Sequence, residues 1–322
     1  MPNVLILGGS GLLGSAVSQA LLRTGLHTVF AQTRSTSKVL TLQASEVAPL
    51  VFPLSDAEAL TAALQDNDID VVIDASQGYA ETSAILSAII AFSAARQAAL
   101  KAENAVGPKL GFVYTSGIMV HGTPSKFVSD LSPVGNSLAS APPANMVGWR
   151  PAVEQAILAA REHLDVVIMR PGMLYGRSAW NFGPFWGPVA AAKAMGAEAV
   201  KVKAGKEARF GLVHVDDAAE SYTKAVSKID NVGNWPIFDV VTENINLAAI
   251  LEETIRSLGL TANVEFEGTG GDVLMEALGL RANGSASRAR SVLGWEARRR
   301  DFLLNVGGYY RAWEAAQGME NR

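Results

Sequence analysis

Short, continuously apolar runs recur through the first half of the chain, each followed by a polar or glycine-rich break and then by an amphipathic stretch. VLIL (4–7) is apolar at every position, as expected of a strand covered on both faces. After a glycine turn, Leu12, Leu13, Val17, Ala20 and Leu21 fall on one side of a helix that Gly25 ends. HTVFAQTR (27–34) reads as a second strand. SDAEALTAALQ (55–65) opens like a capping box, with Ser55 as the cap, Glu58 three residues on and Asp56 in the first turn. DVVIDAS, KLGFVYTSG and LDVVIMRPG are further strands; a long helix is predicted over 81–103 and another over 151–163.

This alternation predicts an α/β fold: a Rossmann-type, doubly wound parallel sheet with helices on both faces. In such sheets ligands bind at the carboxyl ends of the strands, so the loops after Leu7, Arg34, Asp74, Tyr114 and Met169 are expected to crowd together. The rhythm changes after residue 175, where GRSAWNFGPFWGP is rich in glycine, proline and aromatic residues. FGLVHVDDAAESYTKAV returns to strand-then-helix, NINLAAILEETIRSLG is an amphipathic helix, and SRARSVLGWEARRR is a basic segment near the end. The expected division is a dinucleotide-binding domain over 1–175 plus about 210–240, with a smaller C-terminal substrate lobe from 176–209 and 241–322.

Composition narrows the chemistry. The chain has 322 residues, a net charge of -4 and no cysteine, which excludes disulfides, a cysteine nucleophile and thiolate metal sites. With four histidines, a histidine-rich metal centre is not expected. The mild acidity and the absence of a Lys/Arg run argue against nucleic acid as a partner. No apolar segment reads as a bilayer span, so a soluble, cytoplasmic protein without membrane attachment is expected.

Gly8, Gly11 and Gly14 lie between a strand and a helix. That spacing gives a tight turn, a close approach to a pyrophosphate and a close helix–strand contact, with the helix N-terminus facing the anion. Ser10, Leu12 and Leu13 complete this candidate cradle, and Asp74, Ser76, Pro171 and Met173 extend the candidate cofactor site along the strand ends. No acid occurs from His27 through Ser45, whereas Arg34 stands at the end of the second strand with Lys38 after it. A guanidinium there pairs with a 2′-phosphate, so NADP is expected over NAD.

The motifs GGSGLLG, YTSGIMVHG, RPGMLYG, VHVDDAAES and RSVLGW, in this order, resemble the extended short-chain dehydrogenase/reductase superfamily, in its NAD-dependent epimerase/dehydratase group. The resemblance implies a substrate lobe that closes over the nicotinamide, a Ser/Thr–Tyr–Lys catalytic set and, by analogy, a homodimer through the helices at 81–103 and 151–163. It also shows a departure. Aligning Glu154 with the family's glutamate puts Arg150 at the lysine and Met146 at the tyrosine, and no tyrosine lies between Tyr114 and Tyr175. A thioether donates no proton. Pro151 starts a helix near Trp149 and leaves Met146 in the preceding loop. The family's Ser/Thr falls at Gly117, beside Ser116, and Pro53 stands where the family often has Asp.

The candidate catalytic set is therefore Ser116, Arg150 and His121, with Arg150 expected on ribose hydroxyls and the proton expected from water or a group such as His121. Trp180, Phe182, Phe185 and Trp186 suggest an apolar or aromatic small-molecule substrate. The expected function is NADP-dependent oxidoreduction of a small carbonyl or alcohol with a non-standard proton donor. A non-redox isomerase, lyase or cyclase on the same fold and a non-catalytic NADP-sensing regulator are the alternatives.

Overall fold

The computed structural model describes residues 1–320. A seven-stranded sheet runs in the spatial order Ile237–Val240, Leu164–Pro171, Leu110–Thr115, Val71–Asp74, Asn3–Leu7, Thr28–Thr33 and Ala48–Val51. Every pairing in it is parallel. Alternation along a strand sends neighbouring side chains to opposite faces. Val4 and Ile6 pack with Leu13, Val17, Leu21 and Tyr222, while Leu5 and Leu7 pack with Leu60, Leu64, Ile85 and Ile89. Both faces are covered, which is why the strands read as unbroken apolar runs.

The sequence pattern misses both edge strands, Ile237–Val240 and Ala48–Val51; the second is four residues long and contains Pro49. Proline is tolerated at such an edge, where one side of the backbone has no neighbour to bond. Asp56, not Ser55, caps the helix Ala57–Asp66, its carboxylate accepting from Ala59 N at 2.9 Å. The helix Arg150–Ala159 does begin after Trp149, with Pro151 in its first turn.

A second core gathers Tyr175, Phe182, Phe185, Trp186, Phe210, Leu247, Leu251, Phe302, Tyr310 and Trp313. The strand Arg209–His214 does not join the large sheet. It pairs in parallel with Met173–Tyr175 and antiparallel with Glu243–Asn246, carrying Phe210 and Leu212 into this second core. The helix after it, Val215–Ser227, returns to the large sheet. A last helix, Phe302–Glu320, follows the basic segment and is not marked in the sequence pattern.

The helix Thr82–Ala102 is long and apolar enough to cross a membrane by length and composition alone. Here it packs Ile85, Leu86 and Ile89 against the sheet, with Ala88, Ile90 and Phe92 at the margin.

Candidate functional site

The carboxyl ends of the strands and the second core enclose a cleft of about 940 Å³. At its floor Gly8 has φ +71°, and a Cβ there would lie 2.7 Å from Ser76 Cα. A Cβ on Gly14 would lie 2.3 Å from Gly8 O. These two glycines are thus required by protein packing. Gly11 differs: its Cβ would meet only Gly8 O, at 3.3 Å, so the space beyond it is open. Gly11 is also the N-cap of the helix Leu12–Arg23 and supplies no side-chain cap. The first-turn N–H groups are therefore left to an anion or water. Ser10, Leu12 and Leu13 line the same wall, and Ser10 Oγ lies 3.2 Å from Thr33 Oγ1.

Gln32, buried in the second strand, holds the turn in place. Its Oε1 accepts from Gly8 N at 2.9 Å and its Nε2 donates to Phe52 O at 2.5 Å. The sequence does contain a signal for it, a polar residue inside a buried strand. Arg34 lines the cleft at the end of that strand, exposed and without an ion pair or hydrogen bond among the described residues. Lys38 sits beyond, exposed at the end of the short helical turn Thr36–Lys38, and is not part of the cleft wall. Pro53 and Ser55 line the wall nearby, and Glu81 brings a carboxylate to it beside Leu54 and Ser76.

Asp74 lies beneath the wall rather than in it. Its Oδ1 accepts from Ser76 N at 3.0 Å and Ser76 Oγ at 2.6 Å, shaping the loop that Ser76 presents to the cleft. Burial raises its pKa, and the two bonds from Ser76 oppose the shift. Pro171 and Met173 line the opposite wall.

The half expected to do chemistry is rebuilt. Ser116 is buried at the end of the strand Leu110–Thr115, lines the cleft, and its Oγ has no hydrogen-bond partner. Next to it, a Cβ on Gly117 would lie 2.5 Å from Arg150 Nη1. The guanidinium thus occupies the space in which a serine or threonine at 117 would project. Arg150 is 9% exposed, and its charge lies 5.3 Å from the Tyr79 ring centre and 5.5 Å from that of Trp149. The two rings are themselves 5.3 Å apart. Tyr79, from the loop after Asp74, joins this cluster only through the fold, whereas Trp149 is the chain neighbour of Arg150. Met146 is 43% exposed on the cleft wall, in the turn Asn145–Val147.

His121 is not brought to this cleft. It is buried, with Nε2 2.9 Å from Asp239 Oδ2, in a charge network at the edge pair of strands Ile237–Val240 and Leu164–Pro171. His121 therefore lies outside the cleft wall, with its Nε2 against Asp239. In the same network Arg170 donates from Nε and Nη2 to both oxygens of Glu154, and its Nη1 is 3.7 Å from Asp239 Oδ1. Burial opposes the charge on Arg170, but the bonds and charge of Glu154, helped by Asp239 and Asp130, outweigh it and raise its pKa. Asp130 is pushed up to about 6 by burial and by the neighbouring Asp239 carboxylate. Glu154 is therefore the structural partner of Arg170.

The aromatic run is also redistributed. Phe182, Phe185 and Trp186 are buried in the second core, where Phe182 stacks on Trp186 at 4.3 Å. Trp180 alone of the four lines the cleft, 50% exposed. Tyr175 is buried against Phe302, Tyr309 and His214, with its hydroxyl donating to Arg299 O at 3.2 Å. Ile118, Met119, Val147, Met173, Leu274 and Leu278 make most of the cleft wall on this side apolar. No group of three or more potential metal ligands occurs among the described residues.

A parallel sheet with an open glycine cradle at a helix N-terminus defines a dinucleotide-binding protein. The profile of the NAD dependent epimerase/dehydratase family matches residues 4–240, and the chain belongs to that family. Solved structures agree on the fold. A dTDP-glucose 4,6-dehydratase from Bacillus anthracis, in complex with NAD, aligns with a TM-score of 0.70 at 15% identity, over 98% of this chain and 97% of that one. A UDP-glucuronic acid 4-epimerase from Bacillus cereus gives 0.72 at 16%, over 97% and 99%. A UDP-glucose 4-epimerase from Bifidobacterium longum, with NAD and UDP, gives 0.65 at 16%, over 98% and 99%. No curated protein matches the chain in sequence.

Proposed function

We propose that the protein binds NADP in this cleft and is an oxidoreductase for a small carbonyl or alcohol substrate with an apolar body. The observation that carries the reading is one continuous cleft whose Gly11 end is an open pyrophosphate cradle and whose other end is walled by Met119, Met146, Met173 and Trp180. Ser10, Gly11, Leu12 and Leu13 would hold the pyrophosphate, with Gly8 and Gly14 shaping the turn and Asp74 shaping the Ser76 loop. The nicotinamide end would lie between Pro171, Met173 and Ser116. Bound NADP supplies hydride transfer. The chain's own part is to orient the two molecules and exclude water, because Met146 has no proton to give. Ser116 Oγ, buried at the cleft wall without a partner, would donate a hydrogen bond to a substrate oxygen, and the proton that balances hydride transfer would be taken from water in the cleft.

Two features of the surface and composition fit the same reading. The exposed outer face of the helix Thr82–Ala102 carries Ser83, Ala84, Ser87, Ala91 and Ala95, a surface suited to a homodimer, and the lack of cysteine suits a cytoplasmic setting.

Arg34 supports NADP over NAD, because it is an unpaired guanidinium in the cleft wall and no acid occurs on its own strand or the turn after it. Arg34→Ala is expected to weaken NADP by roughly tenfold or more, the value of a lost charge-assisted bond, and to leave NAD nearly unchanged. Calorimetric titration with each nucleotide checks this, and equal losses would remove Arg34 from the cofactor site. For turnover, NADPH oxidation followed by absorbance over a panel of apolar aldehydes, ketones and oxo acids is expected to find a substrate. The rewritten Met146 and Gly117 positions favour a second reading, a non-redox enzyme or NADP sensor on the same fold. NADP binding with no NADPH oxidation across the panel would select it.

A further inference from the structure

Arg150 carries a positive charge into a nearly closed position without any partner for it. The side chain is 9% exposed, its Nε is buried with no hydrogen bond, and it makes no ion pair or hydrogen bond among the described residues. The carboxylate four residues along the helix does not serve it, because both oxygens of Glu154 bond Arg170. Asp74 is engaged by Ser76. The Tyr79 and Trp149 rings attract the charge but leave the in-plane N–H donors of the guanidinium unused. A buried charge without a counter-ion is costly, and this one lines a cleft open to small molecules.

We infer that Arg150 is the anchor for a substrate carboxylate, so that the natural substrate is an apolar carboxylic acid. This rests on the reading of the cleft as a substrate site beside NADP. A planar guanidinium with free N–H groups matches a planar carboxylate through two parallel hydrogen bonds. Among the described residues Arg150 makes no side-chain hydrogen bond, whereas Arg209, on the same wall, is held by its Nε on Ala282 O. The surroundings favour an apolar body, since Ile118, Met119, Met146, Val147 and Leu278 line the adjoining wall. Gly117 is part of the same device: with no side chain at 117, Nη1 can lie against the strand end beside Ser116. The anion would then sit next to the hydroxyl that has no partner.

The test uses octanoate, octanol and octyl phosphate as probes, titrated by calorimetry into the full chain with and without NADP. Octanoate is expected to bind, and octanol to bind at least about tenfold more weakly. Arg150→Met, which keeps the apolar stem, is expected to lower octanoate affinity by roughly tenfold or more while NADP still binds. Gly117→Ser keeps the charge but displaces the guanidinium, and the same loss is expected from it. This second variant covers the case in which Arg150→Met fails to fold. Unchanged octanoate affinity in both variants overturns the inference, and a loss of NADP affinity alone would return Arg150 to the ribose. Tighter binding of octyl phosphate than of octanoate overturns the carboxylate assignment. Because these titrations need no turnover, a protein that binds octanoate through Arg150 but never oxidises NADPH would refute the oxidoreductase reading and leave this one standing.

Discussion

Glu154→Ala is expected to lower stability by about 3–5 kcal/mol, the cost of leaving a buried guanidinium without its carboxylate. Arg170 and Glu154 are both essentially inaccessible, and two of the three guanidinium nitrogens of Arg170, Nε and Nη2, are spent on that one carboxylate. The remaining neighbour, Asp239, approaches Nη1 only at 3.7 Å and already holds His121. The loss is read as a shift of the urea midpoint with an unchanged slope. Removing both charges, as Glu154→Leu with Arg170→Met, is expected to recover most of it, because apolar residues of similar volume satisfy the space without a desolvated ion. A loss below about 1 kcal/mol in the single variant would place the pair with weak surface ion pairs and undo the assignment.

Gly11→Val is expected to abolish measurable NADP binding while leaving the melting temperature close to that of the parent. Its backbone is extended, with φ -78° and ψ 174°, so a β-branched residue fits the chain there. Its Cβ meets only Gly8 O at 3.3 Å, so its methyl groups would stand in the cradle rather than in the protein. Gly14→Val is the contrasting control. There the Cβ would lie 2.3 Å from Gly8 O and 2.8 Å from Gly9 Cα, and overpacking against backbone is expected to cost about 1–3 kcal/mol or more. Calorimetry and thermal melts on the pair separate a ligand contact from a packing contact. Retained NADP affinity in a folded Gly11→Val protein would refute the cradle.

The chain shows how unevenly a site is written in its sequence. The glycine turn, the apolar strands and the late start at Trp149 depend on near neighbours, and such constraints act over a few residues. They were legible, as was the absence of a tyrosine near 146. The edge strand Ala48–Val51 was not, because Pro49 argues locally against a strand and only its place at the sheet margin permits it. His121 and Glu154 illustrate the harder case. His121 reads in sequence as a proton donor and Glu154 as the family's helix glutamate, and only their partners Asp239 and Arg170, 118 and 16 residues away, place both in a buried charge network.

What the sequence determined by itself was the five inner strands of the sheet, most of its covering helices, the glycine turn and the absence of a tyrosine between Tyr114 and Tyr175, since each follows from periodicity, backbone conformation or residue type at adjacent positions. What only the tertiary structure decided was which polar groups have partners. Arg150 reads in sequence as a lysine substitute. In space Gly117 makes room for it, Tyr79 and Trp149 flank it, and Glu154 is taken by Arg170. Whether a buried charge is satisfied depends on distances between segments far apart in the chain, and those are fixed only when the cores close around them.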